Sequence, residues 1–350
     1  MTTPKYHPAY DVSAWEEISG EDASLIIADG PSIAINAYQG VLTIKDGPAG
    51  SPRTRRWSKI EARPIHHLNI LNAHGYLSLE AMKWLAEAGI TWDVSDRYND
   101  LTRNLAHSGA YQDPSLVRAQ AFLTTGAPHE ATGVAIARGF IKAKLEGQAW
   151  NAEHCLGHLS VAEYIRGLIP ELEQAPNVAA IGGWEGKGAA AYWSAWQDYP
   201  VRWLKPAPLQ AHWMKYPGRK SLARMSDRNR GASDPVNAML NYGYAVAGTV
   251  CVHALQGQYL SADMGLMHVD RKKRQSFALD LVEVMRPAVD EIVWNVLQRP
   301  LTKKVFPEDM AGVVRISAPL THEIATQIRK RAWLANQHVS TVLTALQSLA

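Results

Sequence analysis

Cysteine is scarce: the chain holds two, Cys155 and Cys251, far apart in sequence. That spacing excludes a disulfide framework and a zinc ribbon, which need several close pairs, and it favours a reducing compartment. No run of about eighteen apolar residues is present to span a membrane. Residues 1–13 also lack a basic-then-apolar leader pattern, so the expectation is a soluble, cytoplasmic protein with no membrane partner. An excess of one charge is missing too, the formal net being only +3. So small a sum does not imply a nucleic-acid partner, because clustering sets the local field a phosphate backbone feels. Internal repeats of solenoid period and low-complexity tracts are absent, which excludes repeat architectures.

The 350 residues, 47% of them hydrophobic, suffice for a sizeable core and suggest two domains. Basic residues cluster at 53–59, at 202–230 (with Lys215, Arg219, Lys220, Arg224, Arg228 and Arg230) and at 271–274. Such runs are either solvated faces or phosphate contacts, and spacing alone leaves both readings open.

Two textures divide the chain. Over 24–107 short β-prone runs, Leu25-Ile26-Ile27-Ala28, Ile33-Ala34-Ile35-Asn36 and Val41-Leu42-Thr43-Ile44, are punctuated by Asp29-Gly30 and Asp46-Gly47, as in a meander. One helix interrupts them at 78–88, with a serine cap and a terminal Gly89, before a further strand at 90–94. Beyond Tyr111-Gln112-Asp113-Pro114 the segments 115–124, 130–148 and 160–174 carry apolar residues at helical spacing. Asp234-Pro235 starts another helix, running to about 255, since aspartate caps orphan N–H groups and proline is preset for the first turn. A last helix, 276–297, has one apolar stripe through Phe277, Leu281, Val284, Ala288, Ile292 and Val293, and Pro287 should kink it or end its first half. The fold class is therefore α+β, with a β-rich N-terminal domain (1–111) and a larger all-α C-terminal domain (112–350).

Three places could carry chemistry. His268 closes Gly265-Leu266-Met267-His268, and Asp280 and Glu283 follow at i and i+3 on one helical face, within reach of a single cation. Glu185 stands among Gly182, Gly183, Gly186 and Gly188, where small neighbours let a ligand approach. One histidine with carboxylate oxygens suits Mg²⁺ or Mn²⁺ better than structural zinc, and such an open site suits phosphodiester chemistry. The same residues also read as a solvated acidic face, a hydrogen-bonded loop histidine and an acid in a first helical turn.

The combined pattern resembles the CRISPR-associated endonuclease/integrase family, the metal-dependent DNA nuclease subunit of the spacer-acquisition machinery. Three ordered motifs carry the resemblance over most of the chain. The first is Glu185-Gly186-x-x-Ala189-Ala190-x-Tyr192-Trp193. The second is Asn229-Arg230-x-x-x-Asp234-Pro235-Val236-Asn237-Ala238-x-Leu240-x-Tyr242-Gly243-Tyr244. The third is Gly265-Leu266-x-His268 followed by Ser276-x-Ala278-Leu279-Asp280-Leu281-x-Glu283-x-x-Arg286-Pro287.

The resemblance implies that Glu185, His268 and Glu283 hold the catalytic Mg²⁺ or Mn²⁺, with Asp280 as a supporting carboxylate. It also implies that Asn229, Arg230 and Asn237 organise the wall beside the metal and that Lys272, Lys273 and Arg274 lie near the DNA path. Asn237 reads equally as a brace for the helix that Asp234 caps. A homodimer paired through the β-domain, a DNA substrate and a small ferredoxin-like adaptation partner follow from the same resemblance. The stretch 1–22 is longer than the family's usual start, and 53–63 is unusually basic for its β-domain.

Five tryptophans, Trp184, Trp193, Trp196, Trp203 and Trp213, fall beside Glu185, interleaved with Arg202 and Lys205. They could stack bases or fill a core. The expected function is integration of short DNA (spacers) into a CRISPR repeat by transesterification, with DNA cleavage. A stand-alone homologue in DNA repair or mobile-element integration, a catalytically silent DNA-binding scaffold and a hydrolase of small phosphate esters are the alternatives.

Overall fold

The computed structural model describes residues 25–30, 32–47, 51–63, 65, 67–71, 74–95, 104–107, 112–126, 129–204, 209–219, 231–272 and 274–349. Period-two alternation builds its N-terminal region. β2 (Ile33–Tyr38) turns Ile33, Ile35 and Ala37 inward, and β3 (Val41–Asp46) turns Leu42, Ile44 and Asp46 inward. β3 pairs antiparallel with β2 and with β4 (Arg53–Ser58), and β6 (Gly75–Leu77) joins β2 in parallel.

The expected meander is thus confined to β2, β3 and β4. β1 (Leu25–Asp29) lies instead parallel to β5 (His67–Leu71), in a second sheet completed by β7 (Thr91–Ser95) and β8 (Asn104–His107). Its composition explains the placement. Ile26, Ile27 and Ala28 are all buried, which suits a strand covered on both faces. Ile26 and Ala28 join the apolar cluster of the N-terminal region, whereas Ile27 joins that of the helices, so β1 forms a seam between the two. α1 (Leu79–Glu87) has the expected serine cap, Ser78 Oγ accepting from Ala81 N at 3.1 Å.

The helical region comprises α2 (Pro114–Phe122), α3 (His129–His154), α4 (Leu159–Gly167), α5 (Ile169–Glu173), α6 (Val178–Trp196), α7 (Pro235–Gln256), α8 (Ser276–Leu297), α9 (Leu320–Arg329) and α10 (Ala332–Gln347). α7 starts where Asp234-Pro235 predicts, with Asp234 Oδ1 accepting from Asn237 N at 2.9 Å. Because apolar or small residues surround it on every side, it is the central helix; only Asn241, His253 and Gln256 escape full burial. α8 packs its stripe against α7 and α3, and Phe277, Leu281 and Met285 each gain about 1.5–3 kcal/mol from complete burial.

Of the kink or end expected at Pro287 the end does not occur, and the first-turn reading of Glu185 fails too, both for packing reasons. Pro287 does not end α8, which spans it from Ser276 to Leu297. The proline denies the Glu283 carbonyl its helical donor, but its own carbonyl accepts from Asn151 Nδ2 on α3 at 2.8 Å, so neighbouring helices hold the segment in place. Glu185 is not in a first turn either. α6 already begins at Val178, capped by Asn177, and this puts Gly182, Gly183 and Gly186 inside the helix.

Two glycines set the helix spacing that the site depends on. A Cβ at Gly188 of α6 would stand 2.3 Å from Leu145 Cδ2 of α3, and one at Gly147 of α3 would stand 2.6 Å from the Pro287 ring of α8. α3 is therefore clasped closely between α6 and α8, with Lys144 on it.

Candidate metal centre

Glu185 on α6 and Glu283 on α8 meet at Lys144 of α3. Its ammonium donates to Glu185 Oε1 and, at 2.6 Å, to Glu283 Oε2. Glu283 Oε1 accepts from Arg286 Nε at 2.9 Å, and the Arg286 guanidinium lies 4.6 Å above the Tyr244 ring. Burial would push the Glu283 carboxyl up, but Arg286 and Lys144, with His268 at longer range, bring it down to about 2, so it is a carboxylate at any working pH. A solvated acidic face is ruled out for Asp280 and Glu283: Asp280 is fully buried and Glu283 only 6% exposed.

Asp280 and His268 form the second half of the arrangement. Asp280 Oδ2 accepts from the backbone N–H groups of Leu266 (2.5 Å) and Met267 (3.1 Å), while Oδ1 accepts from His268 N (2.9 Å) and bonds His268 Nδ1 (2.6 Å). One carboxylate thus fixes the Leu266–His268 backbone and engages Nδ1, which leaves Nε2 as the ring nitrogen for a ligand. The structure separates the two acids by role: Glu283 faces Glu185 across a cation, whereas Asp280 serves the loop.

A cleft of about 180 Å³ opens beside the acids, walled by Lys144, Glu185, Trp193, Tyr244, Glu283 and Asp290, among others. Burial raises the Asp290 carboxyl to about 6, and Tyr244 donates to its Oδ1. Arg219 closes one side: it donates to Asn237 Oδ1 (2.7 Å) and Asn241 Oδ1 (3.2 Å) and stands 5.3 Å from Trp193 and 5.6 Å from Tyr244. Asn237 also donates to Asp234 Oδ2 and Gly218 O, each at 2.7 Å. It therefore both braces the cap of α7 and carries the arginine that meets the cleft wall.

The other expected site residues are more dispersed. Lys272 is exposed and Arg274 half-buried, on the turn leading into α8, and Asn229, Arg230 and Lys273 lie outside the described residues. Trp196 and Trp213 are fully buried in the core, while Trp193 lines the cleft and Trp184 carries the Lys187 ammonium 3.7 Å above its ring. The basic run at 53–59 is split: Arg53 and Arg55 pair inward with Asp46, and Arg56 and Lys59 are exposed.

Among the described residues, no three His, Cys, Asp and Glu side chains form a ready metal cage. Two of the three proposed ligands nevertheless converge on one cation, and that cation is an ammonium. Hard carboxylate oxygens with one imidazole suit Mg²⁺ or Mn²⁺, so the donor chemistry fits such an ion where the Lys144 ammonium now sits. Neither Lys144 nor Asp290 stands out in the sequence. A signal exists for Lys144, because residues 144, 148 and 151 interrupt the apolar face of α3 with Lys, Gln and Asn, all buried.

Comparison with known proteins bears on this geometry. The family model described as CRISPR associated protein Cas1 matches residues 34–330. A CRISPR-associated endonuclease Cas1 of Archaeoglobus fulgidus is 25% identical over 303 residues, 81% of this chain and 80% of that one. One from Pyrobaculum aerophilum is 26% identical over 239 residues, 66% and 71% of the two chains. A casposase bound to integration product superposes with a TM-score of 0.71 at 21% identity, covering 93% of this chain and 91% of that one. A Cas1 protein from Thermotoga maritima gives 0.67 at 14%, covering 92% and 96%. The likeness to the two solved structures is one of fold, a strand-rich region followed by a mostly helical one.

Proposed function

This chain belongs to the Cas1 family, and on that premise we propose that it is a Mg²⁺- or Mn²⁺-dependent DNA endonuclease and integrase. It would join the 3′-hydroxyl of a short DNA to a phosphodiester of a CRISPR repeat and cleave DNA by the related hydrolysis. The observation that carries the reading is the convergence of Glu185 and Glu283, from two different helices, on a single cation position. Glu185, Glu283 and His268 would hold the metal, which when bound supplies Lewis-acid polarisation of the phosphoryl oxygen and orients the attacking hydroxyl.

The remaining groups have separable tasks. Arg286 keeps Glu283 ionised, Asp280 presents His268, and Arg219 with Asn237 shapes the wall beside the acids. DNA, a second copy of the chain and a small ferredoxin-like adaptation protein are the proposed partners. The product-bound casposase supports the DNA partner, and a solved Cas6-RT-Cas1–Cas2 complex, similar in fold with a TM-score of 0.70 at 16% identity, supports assembly with another adaptation protein; this chain is 94% covered in that match and spans 35% of that one. No described helix is long and apolar enough to cross a membrane.

The test is strand transfer of a short duplex into supercoiled DNA, with cleavage of branched DNA, in Mn²⁺ and in chelator. Glu185→Ala should lose about a thousandfold in rate, since several kcal/mol of charge stabilisation is at stake and each ~1.4 kcal/mol is one decade. Equal rates for wild type and variant would sink the proposal. An inactive wild type that still binds duplex DNA would favour the scaffold.

A further inference from the structure

Lys144 stands where the metal is proposed to go. Its side chain is 6% exposed, its stem passes through the α3 face that packs between α6 and α8, and two of its three ammonium protons go to Glu185 and Glu283. Both oxygens of Glu283 accept from cations, Lys144 on one and Arg286 on the other. A divalent ion drawn to the same two carboxylates would meet the ammonium at close range, and like charges at such distances in a half-buried site repel strongly.

The carboxylates have little freedom to move apart around both cations. Gly188 against Leu145 and Gly147 against Pro287 fix the spacing of the three helices at close contact. The ammonium does have room, because Lys144 also lines the cleft of about 180 Å³ and rides on a four-carbon stem. Arg286 lines the same cleft, but its planar guanidinium is fixed by orientation, with Nε on Glu283 and the fork over Tyr244. An ammonium is a point charge that can swing on its stem, so Arg286 is the worse candidate to leave.

We infer that Lys144 is a resident counter-cation of the metal centre: it holds Glu185 and Glu283 together in the metal-free protein and must be displaced for a divalent ion to bind. The inference rests on the metal-site reading above. Its consequence is a centre that keeps its shape without metal and binds metal more weakly than its two acids would allow. Loading is then favoured when something else, such as a DNA phosphate, draws the ammonium away.

The experiment is Mn²⁺ titration by calorimetry of the full-length, metal-free protein without DNA, for wild type, Lys144→Gln and Lys144→Arg, alongside thermal melts in chelator and in saturating Mn²⁺. Lys144→Gln should bind Mn²⁺ about tenfold more tightly or better, because a unit positive charge next to the ion is removed. Its melting temperature should be lower than wild type in chelator and rise more on adding Mn²⁺, whereas Lys144→Arg should bind no more tightly than wild type. Should Lys144→Gln unfold without metal, recovery of its circular dichroism by Mn²⁺ supports the inference, and no recovery overturns it. A folded Lys144→Gln that binds no more tightly than wild type overturns it, as does tightening in Lys144→Arg. Failure of wild type and of a folded Lys144→Gln alike to bind Mn²⁺ at millimolar concentration sinks the metal-site reading itself, whereas a wild type that binds none while Lys144→Gln binds supports the inference, so the two failures are distinguishable.

Discussion

Two of the clusters of buried charge among the described residues differ in what they leave unfinished. Among the strands, Asp46 is held by two guanidiniums: Arg53 reaches it from Nε (2.8 Å) and Nη2 (2.7 Å), and Arg55 from Nη2 (2.8 Å). Arg55 also donates to the Ile27 carbonyl at 2.9 Å, tying β4 to β1. Among the helices, a pair of carboxylates from separate elements shares one flexible ammonium beside a cleft. The first cluster has an excess of rigid forked cations around one acid and serves the seam between strands. The second has two acids aimed at one position, which a lysine ammonium occupies. Fixed forks bind geometry together, whereas a point charge on a long stem can yield its place. Charge and burial alone therefore do not mark a functional site; in the proposed reading the mark is a partner that can be exchanged.

The comparison breaks most visibly at Asp46. Asp46→Ala removes the buried carboxylate that Arg53 and Arg55 share, and since burial already lowers the Arg55 guanidinium to about 10, the variant should lose about 3–5 kcal/mol in urea unfolding. Its strand-transfer rate per folded molecule should be unchanged. A matching loss of rate would mean that the seam also shapes the proposed metal centre.

A middle-sized effect tests the loop. Asp280→Asn keeps the shape but weakens the hold on three backbone N–H groups and His268, so Mn²⁺ affinity should fall about 10–100-fold, as for other groups that orient a ligand. Unaltered Mn²⁺ binding would remove His268 from the ligand set.

The smallest effect concerns Asp290. Its folded pKa of about 6 lies above the ordinary carboxylate value, so between roughly pH 4 and 6 the folded state binds more protons than the unfolded one, and stability falls as pH rises through that window. In the metal-free protein Asp290→Asn should accordingly be more stable than wild type at pH 7, with the advantage gone by about pH 4. Urea titrations at the two pH values check this, and a pH-independent difference would contradict it.

Much of the fold can be read along the chain because it rests on local pattern. The Ser78 and Asp234 caps and the α8 stripe appear where spacing places them. Elements decided by distant neighbours are less legible. β1 reads like its neighbours in a meander, yet burial on both faces moves it into the other sheet. Pro287 reads as a kink or a break, yet α8 runs on through it, with Asn151 and Gly147 of α3 accommodating the ring. Within the site, Glu185, His268 and Glu283 stand out through motifs, but Lys144 lies more than forty residues before any of them and within no motif.

Residue order by itself determined the α+β division, the helix caps, the three motifs and membership in the Cas1 family, because periodicity, capping chemistry and motif spacing are written locally along the chain. The motifs already set Glu283 apart from Asp280, but only the tertiary structure decided how Asp280 holds the histidine and its loop, and that a lysine holds the place between the two glutamates. Those facts depend on how closely three helices approach, and that approach is set by two glycines whose missing side chains matter only once the helices are packed.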